Sequence, residues 1–339
     1  MKKIISILIL IPALSPVVTT AQQNDDSGKK KTADSIKAVY LDAYALKYPI
    51  LRQVTVSQEF VTPGTLKTQL YGKDVLQGKL GIIRTVANIN IPVATWKNNN
   101  ITVSLGMVNQ EFKLDNVNSY TSGYTIPNEN VNRTSLNASV NYTHSDSLFG
   151  LPVIFNVGIT SVMDPTFSQQ RFTYRGLVTF SLMRNANSSL SVGGLFIKDP
   201  SSPTPFVPYF SYSHKFKSLD AELLVDLPYR VAFRKELTNK SSLTALSELT
   251  GNLSFFNLDQ TTLPKNSIYS TLDAKMGMMF EYRLSKKVIF SISGGLLTTV
   301  SSKMSASDAK PSDYFIKNNN QPVPYANIGI SVLPFFHKL

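Results

Sequence analysis

The chain has 339 residues, is 42% hydrophobic and carries a formal net charge of +12. It contains no cysteine, which excludes disulfides, thiolate metal sites, thiol nucleophiles and a lipidated N-terminal cysteine. A basic balance of this size suits anionic partners of any kind, lipopolysaccharide and acidic solutes among them, and selects none.

Lys2 and Lys3, the run "IISILILIPAL" and the small-residue stretch "VVTTA" form the three regions of a secretory signal peptide, with cleavage expected near Ala21. The apolar run is too short to span a bilayer. Removing residues 1–21 takes away Lys2 and Lys3 and lowers the charge from +12 to +10. Residues 22–48 follow as a periplasmic leader or small plug. Their first part, "QQNDDSGKKKTADS", is polar and aperiodic. "IKAVYLDAYALKYP" is either a short amphipathic helix carrying Ile36, Val39, Tyr40 and Tyr44 or an extended segment.

From about Arg52 to the end of the chain, residues 49–339 read as one β domain dominated by period-two alternation. Ile83, Ala87, Ile89, Ile91 and Val93 alternate with Arg84, Asn88 and Asn90. Leu136, Ala138, Val140 and Tyr142 alternate with Asn137, Ser139 and Asn141, and the pattern recurs through Phe172–Leu182, Leu219–Val225 and Ala326–Val332. "STLDAKMGMMFEYR" repeats it: Leu272, Ala274, Met276, Met278, Phe280 and Tyr282 fall on one face, and Asp273, Lys275, Glu281 and Arg283 on the other. The runs reach about ten residues or more, the length a membrane-crossing strand needs, against about five or six in soluble proteins.

Short polar turns at 96–100, 144–147, 184–188, 215–218, 237–241 and 284–287 alternate with mostly longer segments such as 115–133, 257–267 and 301–322. That asymmetry predicts an all-β, antiparallel up-and-down transmembrane barrel of about fourteen strands, with both termini on the short-turn, periplasmic side. Twelve is the fallback if "DLPYRV" does not turn at Pro228 or if 52–60 is not a strand. Aromatic residues near the short turns (Trp96, Tyr142, Tyr212, Phe280, Tyr282, Phe290) and near the opposite ends (Phe172, Tyr174, Phe206) suit two interfacial girdles. A secreted β-sandwich is the competing architecture, since half-buried soluble sheets also alternate.

The chain resembles the uncharacterised outer-membrane β-barrel proteins of Gram-negative bacteria that carry a domain of unknown function. The resemblance rests on the signal peptide, the loops "VMDPTF" and "IKDPSSPTPF", the segment "VDLPYRVAFRKEL" and the last strand "YANIGISVLPFF". It implies an outer-membrane barrel and brings no substrate.

No phosphate loop, zinc motif or serine elbow is present, and no cofactor, catalytic residue or metal ligand is expected. "YTHSDS" places His144 beside Ser145 and Asp146, but neighbours in a turn do not face one another as a triad must. The candidate functional residues are therefore charges on the polar face: Arg84, Arg171, Arg175, Asp220, Glu222, Asp226, Arg230, Arg234, Asp273, Lys275, Glu281 and Arg283. Either they brace the wall as cross-strand pairs, or Arg84, Arg171, Arg175 and Arg230 make an anion-favouring lining. The expected function is a channel or transporter for small solutes or lipophilic molecules. Alternatives are a closed structural or surface-interaction barrel and a lipid-modifying enzyme. Expected partners are outer-membrane lipid, lipopolysaccharide and the barrel-assembly machinery, not nucleic acid; the oligomeric state is open.

Overall fold

The computed structural model describes residues 41–120, 127–199, 204–310 and 312–335. The expected signal peptide, residues 1–21, and residues 22–40 lie outside them. Residues 41–47 form a helix, α1, which ends where Pro49 forces Tyr48 into extended backbone (φ −119°, ψ 92°) and opens a 3-10 turn at Pro49–Leu51.

Fifteen strands follow: β1 (Val54–Leu70), β2 (Lys73–Trp96), β3 (Asn99–Ser119), β4 (Glu129–Leu148), β5 (Leu151–Met163), β6 (Gln170–Arg184), β7 (Ser188–Lys198), β8 (Phe206–Phe216), β9 (Ala221–Leu227), β10 (Arg230–Glu236), β11 (Ser241–Asn257), β12 (Asn266–Arg283), β13 (Val288–Ala306), β14 (Tyr314–Asn320) and β15 (Val323–Val332). All neighbours are antiparallel, and the ring closes through β1. Leu66–Leu70 of β1 pair with β14, while Val54–Val61 pair with β15. β13 likewise pairs with both. β14 and β15 are thus two lengths of one stave, and the barrel has the fourteen staves the alternation predicts. The doubtful points resolve as strand and turn: residues 54–60 lie in β1, and the chain reverses at Pro228 and Tyr229, where Tyr229 N–H donates to Asp226 O at 2.8 Å.

The two faces meet opposite environments to those of a soluble barrel. Val56, Leu105, Val140, Val157, Ile159, Met276, Ile328 and Ile330 are exposed on the outside, with Met276 at 57%. Arg84, Gln110, Thr244 and Asp273 are buried inside. A sandwich would bury the apolar set; here it can be satisfied only by lipid, and the hydrogen-bonded sheet closes on itself as a ring. The chain is a membrane-spanning β-barrel. At one end Trp96 lies tilted against Tyr142 (6.4 Å), Tyr142 stacks near His144 (6.5 Å) and Tyr212 near His214 (6.4 Å), and Tyr282 is exposed in the outward phase of β12. Phe172, Tyr174 and Phe206 are exposed toward the other end. Such a pair of belts suits two interfaces.

Three expected boundaries move. Residues 144–147 belong to β4, and the turn is Phe149–Gly150, whose positive φ values (56° and 76°) match the twist of a two-residue hairpin. The segments 115–133 and 301–322 are largely strand, because β3, β4, β13 and β14 run beyond membrane height. Their inner faces supply Phe112, Val131, Met304 and Phe315 to an apolar cluster with Tyr269 and Phe256. Burial against that cluster, which the membrane-length argument ignores, keeps the strands going.

Strand length divides the ring. β1–β4 and β11–β13 have 17 to 24 residues, whereas β9 and β10 have seven each. Pairing between β10 and β11 stops at Arg230 and Glu248, so the rest of β11 has no neighbour on that side. Free backbone groups are costly in the interior, and β11 satisfies them by crossing it. Ser135 of β4 donates to Leu253 O at 2.9 Å, and Gln169 donates to Phe256 O at 3.5 Å and to the Asn257 side chain at 2.8 Å. Leu253, Phe255 and Ile268 pack toward Val162 of β5, while Phe256 and Tyr269 pack on the other face toward Phe112. The far part of the β11–β12 hairpin is therefore buried on both sides.

Candidate functional site: a braced half and a water-lined half of the lumen

Midway along the tall wall the polar phases of β1, β2 and β12 bring four charges together. Arg84 donates to Glu59 at 2.6 Å and to Asp273 at 3.3 Å, and Lys275 pairs with the other oxygen of Glu59. Two cations meet two anions, so the cluster is neutral. Gln110 accepts from Arg84 Nε at 2.9 Å and passes the chain on to Ser254 at 2.6 Å, and Thr299 donates to Asp273 at 3.0 Å. Arg84 and Asp273 are each 3% exposed. Buried charges this well partnered tolerate low dielectric, whereas loss of one partner strands the others.

The short-turn mouth holds α1. Its last carbonyls have no partner within the helix, and arginines supply them. Arg52 Nε donates to Ala45 O at 3.1 Å and Arg230 Nη1 to Lys47 O at 2.8 Å. Arg52 also reaches Glu281 at 2.5 Å and Ser331 at 3.0 Å. Lys47 pairs with Glu222 at 2.7 Å and Asp42 with Lys287 at 2.7 Å. Ala45 is fully buried against Ile289 and Leu333, and Tyr48 and Met279 pack against Leu224, Ala232 and Leu246.

Across the lumen, Arg175 sits on the inward phase of β6 yet is exposed to water. Its guanidinium reaches Asn141 Oδ1 at 3.0 Å and Asn156 Oδ1 at 3.3 Å. Nearby, Asp226 accepts from Ser211 at 2.7 Å and Tyr209 at 3.3 Å.

The remaining sequence candidates fall in four settings. Arg171 donates to Ser307 O (2.8 Å) and Ala309 O (3.2 Å), tying β6 to the β13–β14 loop. Arg230 and Arg234 stand opposite Asp226 and Glu222 in register, as the alternation predicts. The ion pairs differ: Arg234 turns to Glu236 at 2.8 Å, and Glu222 is taken by Lys47. Arg283 lines a shallow cleft of about 30 Å³ at the mouth with Leu46, Arg234 and Glu281. Asp220 is not on a wall at all; it is the exposed left-handed residue (φ 47°) of the β8–β9 turn, whose carbonyl accepts from Glu236 N–H at 3.0 Å. A polar residue in the right phase reads as wall, but a turn carries the same residue types. Glu59, Arg52, Asp42 and Lys47 escaped the sequence reading. Glu59 was legible, alternating with Val56, Phe60 and their neighbours on β1.

His144 lies on the outward face, with Nδ1 2.8 Å from Asn99 Oδ1 and Nε2 3.5 Å from Asp146. Ser188 Oγ is 2.7 Å from His214 Nδ1, and no carboxylate pairs with His214 among the described residues. Both imidazoles stack in the aromatic belt.

The family model described as a domain of unknown function, DUF6268, matches residues 50–332. The chain belongs to this family. No curated protein matches it in sequence. Solved structures similar to it include the COG4313 outer membrane channel from Pseudomonas putida F1 (10% identity, 83% of this chain and 96% of that one, TM-score 0.31). Outer membrane phospholipase A from Escherichia coli is similar at 10% identity over 82% and 99% of the two chains, TM-score 0.30. The Pseudomonas putida toluene transporter TodX is similar at 8% identity over 85% and 91%, TM-score 0.31. Channels and an enzyme stand side by side, so these likenesses select no activity. The DUF6268 match begins at Ile50, just beyond α1, so the braced cluster and Arg175 fall within it and the mouth helix falls before it.

Proposed function

We propose that the protein is an outer-membrane channel, exported by a cleaved signal peptide, that passes small solutes through the β5–β10 side of its lumen and is restrained by α1 at the periplasmic mouth. The observation that carries this reading is the inward yet water-exposed Arg175, on the side of the lumen opposite the filled half. Short turns and both ends of the barrel sequence share one end, which is periplasmic in barrels of this kind. A roughly fourteen-stave barrel is wide enough for a lumen even with part of it filled.

The arrangement divides labour. Arg84, Lys275, Glu59 and Asp273 brace the wall and leave no free charge for a solute. Arg175, with Arg230 at the far end of the β9–β10 hairpin, sets a mild preference for anions, opposed by Asp226. The charged contacts of α1 hold it as a plug, with Lys287–Asp42 the more exposed of its two lysine pairs and so the easier to release.

Recording purified protein in planar lipid bilayers tests the proposal. Small conductance steps with a reversal potential shifted toward anion selectivity are expected. A protein that inserts but shows no steps in the native form or after removal of the α1 contacts is a sealed structural barrel, and cation selectivity removes the role given to Arg175.

A further inference from the structure

Beyond the lumen, the outer surface of the tall wall changes character abruptly where its apolar band ends. On β13 the outward run Ile292, Leu296 and Val300 gives way to Lys303. On the last stave Ile330 and Ile328 give way to Lys317, and on β1 Val56 and Phe60 to Lys67. β2 passes from Ile83 to Lys79, and β3 from Leu105 and Met107 to Lys113. These are five adjacent staves: Lys303 and Lys317 stand level in register, and Lys67, Lys79 and Lys113 follow in steps of two residues toward the short-turn end, so the lysines form a continuous slanting arc. Register joins them: Lys303 stands directly opposite Lys317, Lys317 opposite Gln69, and Lys67 opposite Gln77.

Two facts make this arc more than ordinary surface. Like charges directly opposite one another on a sheet repel, and Lys303 and Lys317 are such a pair. None of the five forms an ion pair among the described residues. Lys303 instead rests 4.5 Å from the centre of the Tyr314 ring. Three carboxylates share the region: Asp115 opposite Lys79, Asp74 accepting from Gln69 at 2.9 Å, and Glu111 accepting from Asn130 at 2.9 Å. None relieves the Lys303–Lys317 pair.

We infer that this arc is a binding surface for the phosphate groups of an outer-leaflet glycolipid, with Lys303 and Lys317 at its centre and Tyr314 as a flat contact beside them. On each stave the lysine lies beyond the exposed apolar residues, where headgroups follow hydrocarbon, and phosphate answers an unpaired lysine pair by charge-assisted hydrogen bonds. The inference uses the orientation given above, with the short turns periplasmic, but not the channel activity. A sealed barrel would bind the same lipid.

Native mass spectrometry of the purified full chain in zwitterionic detergent tests it, with diphosphorylated lipid A as the probe and dephosphorylated lipid A and inorganic phosphate as comparisons. Diphosphorylated lipid A should be retained, and K303Q/K317Q should weaken retention roughly ten- to thirtyfold. K286Q, in a turn at the opposite end, should leave it unchanged. The double variant relieves a repulsion, so its heat-induced gel shift should occur at the same or a higher temperature. If the double variant is not recovered folded, K67Q/K79Q should weaken retention in the same direction. Equal retention of the two lipids, retention indifferent to these substitutions, or binding of inorganic phosphate in preference to the lipid overturns the inference.

Discussion

The tall wall of β1–β4 with β11–β15 and the low wall of β5–β10 belong to one ring, yet they stabilise themselves differently. The tall wall carries inward Phe112, Tyr269, Met304 and Phe315, and below them a neutral cluster of four buried charges. It behaves as the core of a soluble domain enclosed by a membrane barrel. The low wall has strands as short as seven residues and an inward arginine reached by water, and it shares α1 with the tall wall. The difference teaches that a lumen-facing charge has no single meaning. On the tall side it is a structural tie, and on the low side it is available to a solute.

The sharpest break of this contrast is removal of a tall-wall charge. Arg84→Met leaves Glu59, Asp273 and Gln110 short of a partner in the interior, and a loss of about 3–5 kcal/mol is expected. The midpoint of the heat-induced mobility shift on an unboiled gel should fall accordingly. Phe112→Ala, in the apolar cluster above, should cost a similar ~3–5 kcal/mol. Phe233→Ala on the outer face of β10 should change stability by about 0.5 kcal/mol or less, because lipid refills the space.

Next in size is the mouth. Arg52 is 2% exposed and ties α1 to Glu281 and Ser331. Arg52→Gln removes that tie together with the donor to Ala45 O, and both stability and closure should suffer. Glu222→Gln breaks a pair whose lysine is a third exposed, so its effect on closure is about 0.5–1 kcal/mol, or roughly a two- to fivefold rise in the open fraction seen in bilayer recordings.

On the low side, Arg175→Glu should move the reversal potential toward cations while shifting stability by only about 0.5 kcal/mol. An unchanged reversal potential would mean that solutes pass elsewhere.

The smallest expected effect is at the β5–β6 loop, outside the membrane. Burial pushes the Asp164 carboxyl up, but hydrogen bonds from Thr166, Gln169 and Ser168 outweigh it and hold its pKa below the usual value. A depressed carboxylate stabilises its loop at and above ordinary carboxylate pKa values and loses that contribution as pH falls through the folded value. Amide exchange at Gln169, whose N–H donates to Asp164 Oδ1 at 2.7 Å, should accelerate only in strong acid, and at all pH values in Asp164→Asn.

Much of the fold was legible because lipid outside and polar groups inside impose strict alternation. "STLDAKMGMMFEYR" needed nothing more: Met276 and Met278 are outward and exposed, while Asp273 and Glu281 are inward and buried. What alternation does not carry is who meets whom across the lumen. Arg84 and Asp273 are 189 residues apart, and nothing local marks them as partners. The inward course of 252–270 was hidden for a related reason. Its cause is the early end of β10 two strands away, not any property of those residues. Glu222 faced Arg234 in register, as read, but a nearby Lys47 from α1 took it instead.

The two walls are most directly separated by single-channel recording of the native protein, the variant D42A/K47A that frees α1, and Arg84→Met refolded alongside. Small or infrequent steps are expected from the native protein, and longer openings with the same anion preference from D42A/K47A. Arg84→Met should show lower thermal stability without a change in ion preference. If freeing α1 leaves the recordings unchanged while Arg84→Met alters selectivity, the assignment of plug and brace is contradicted.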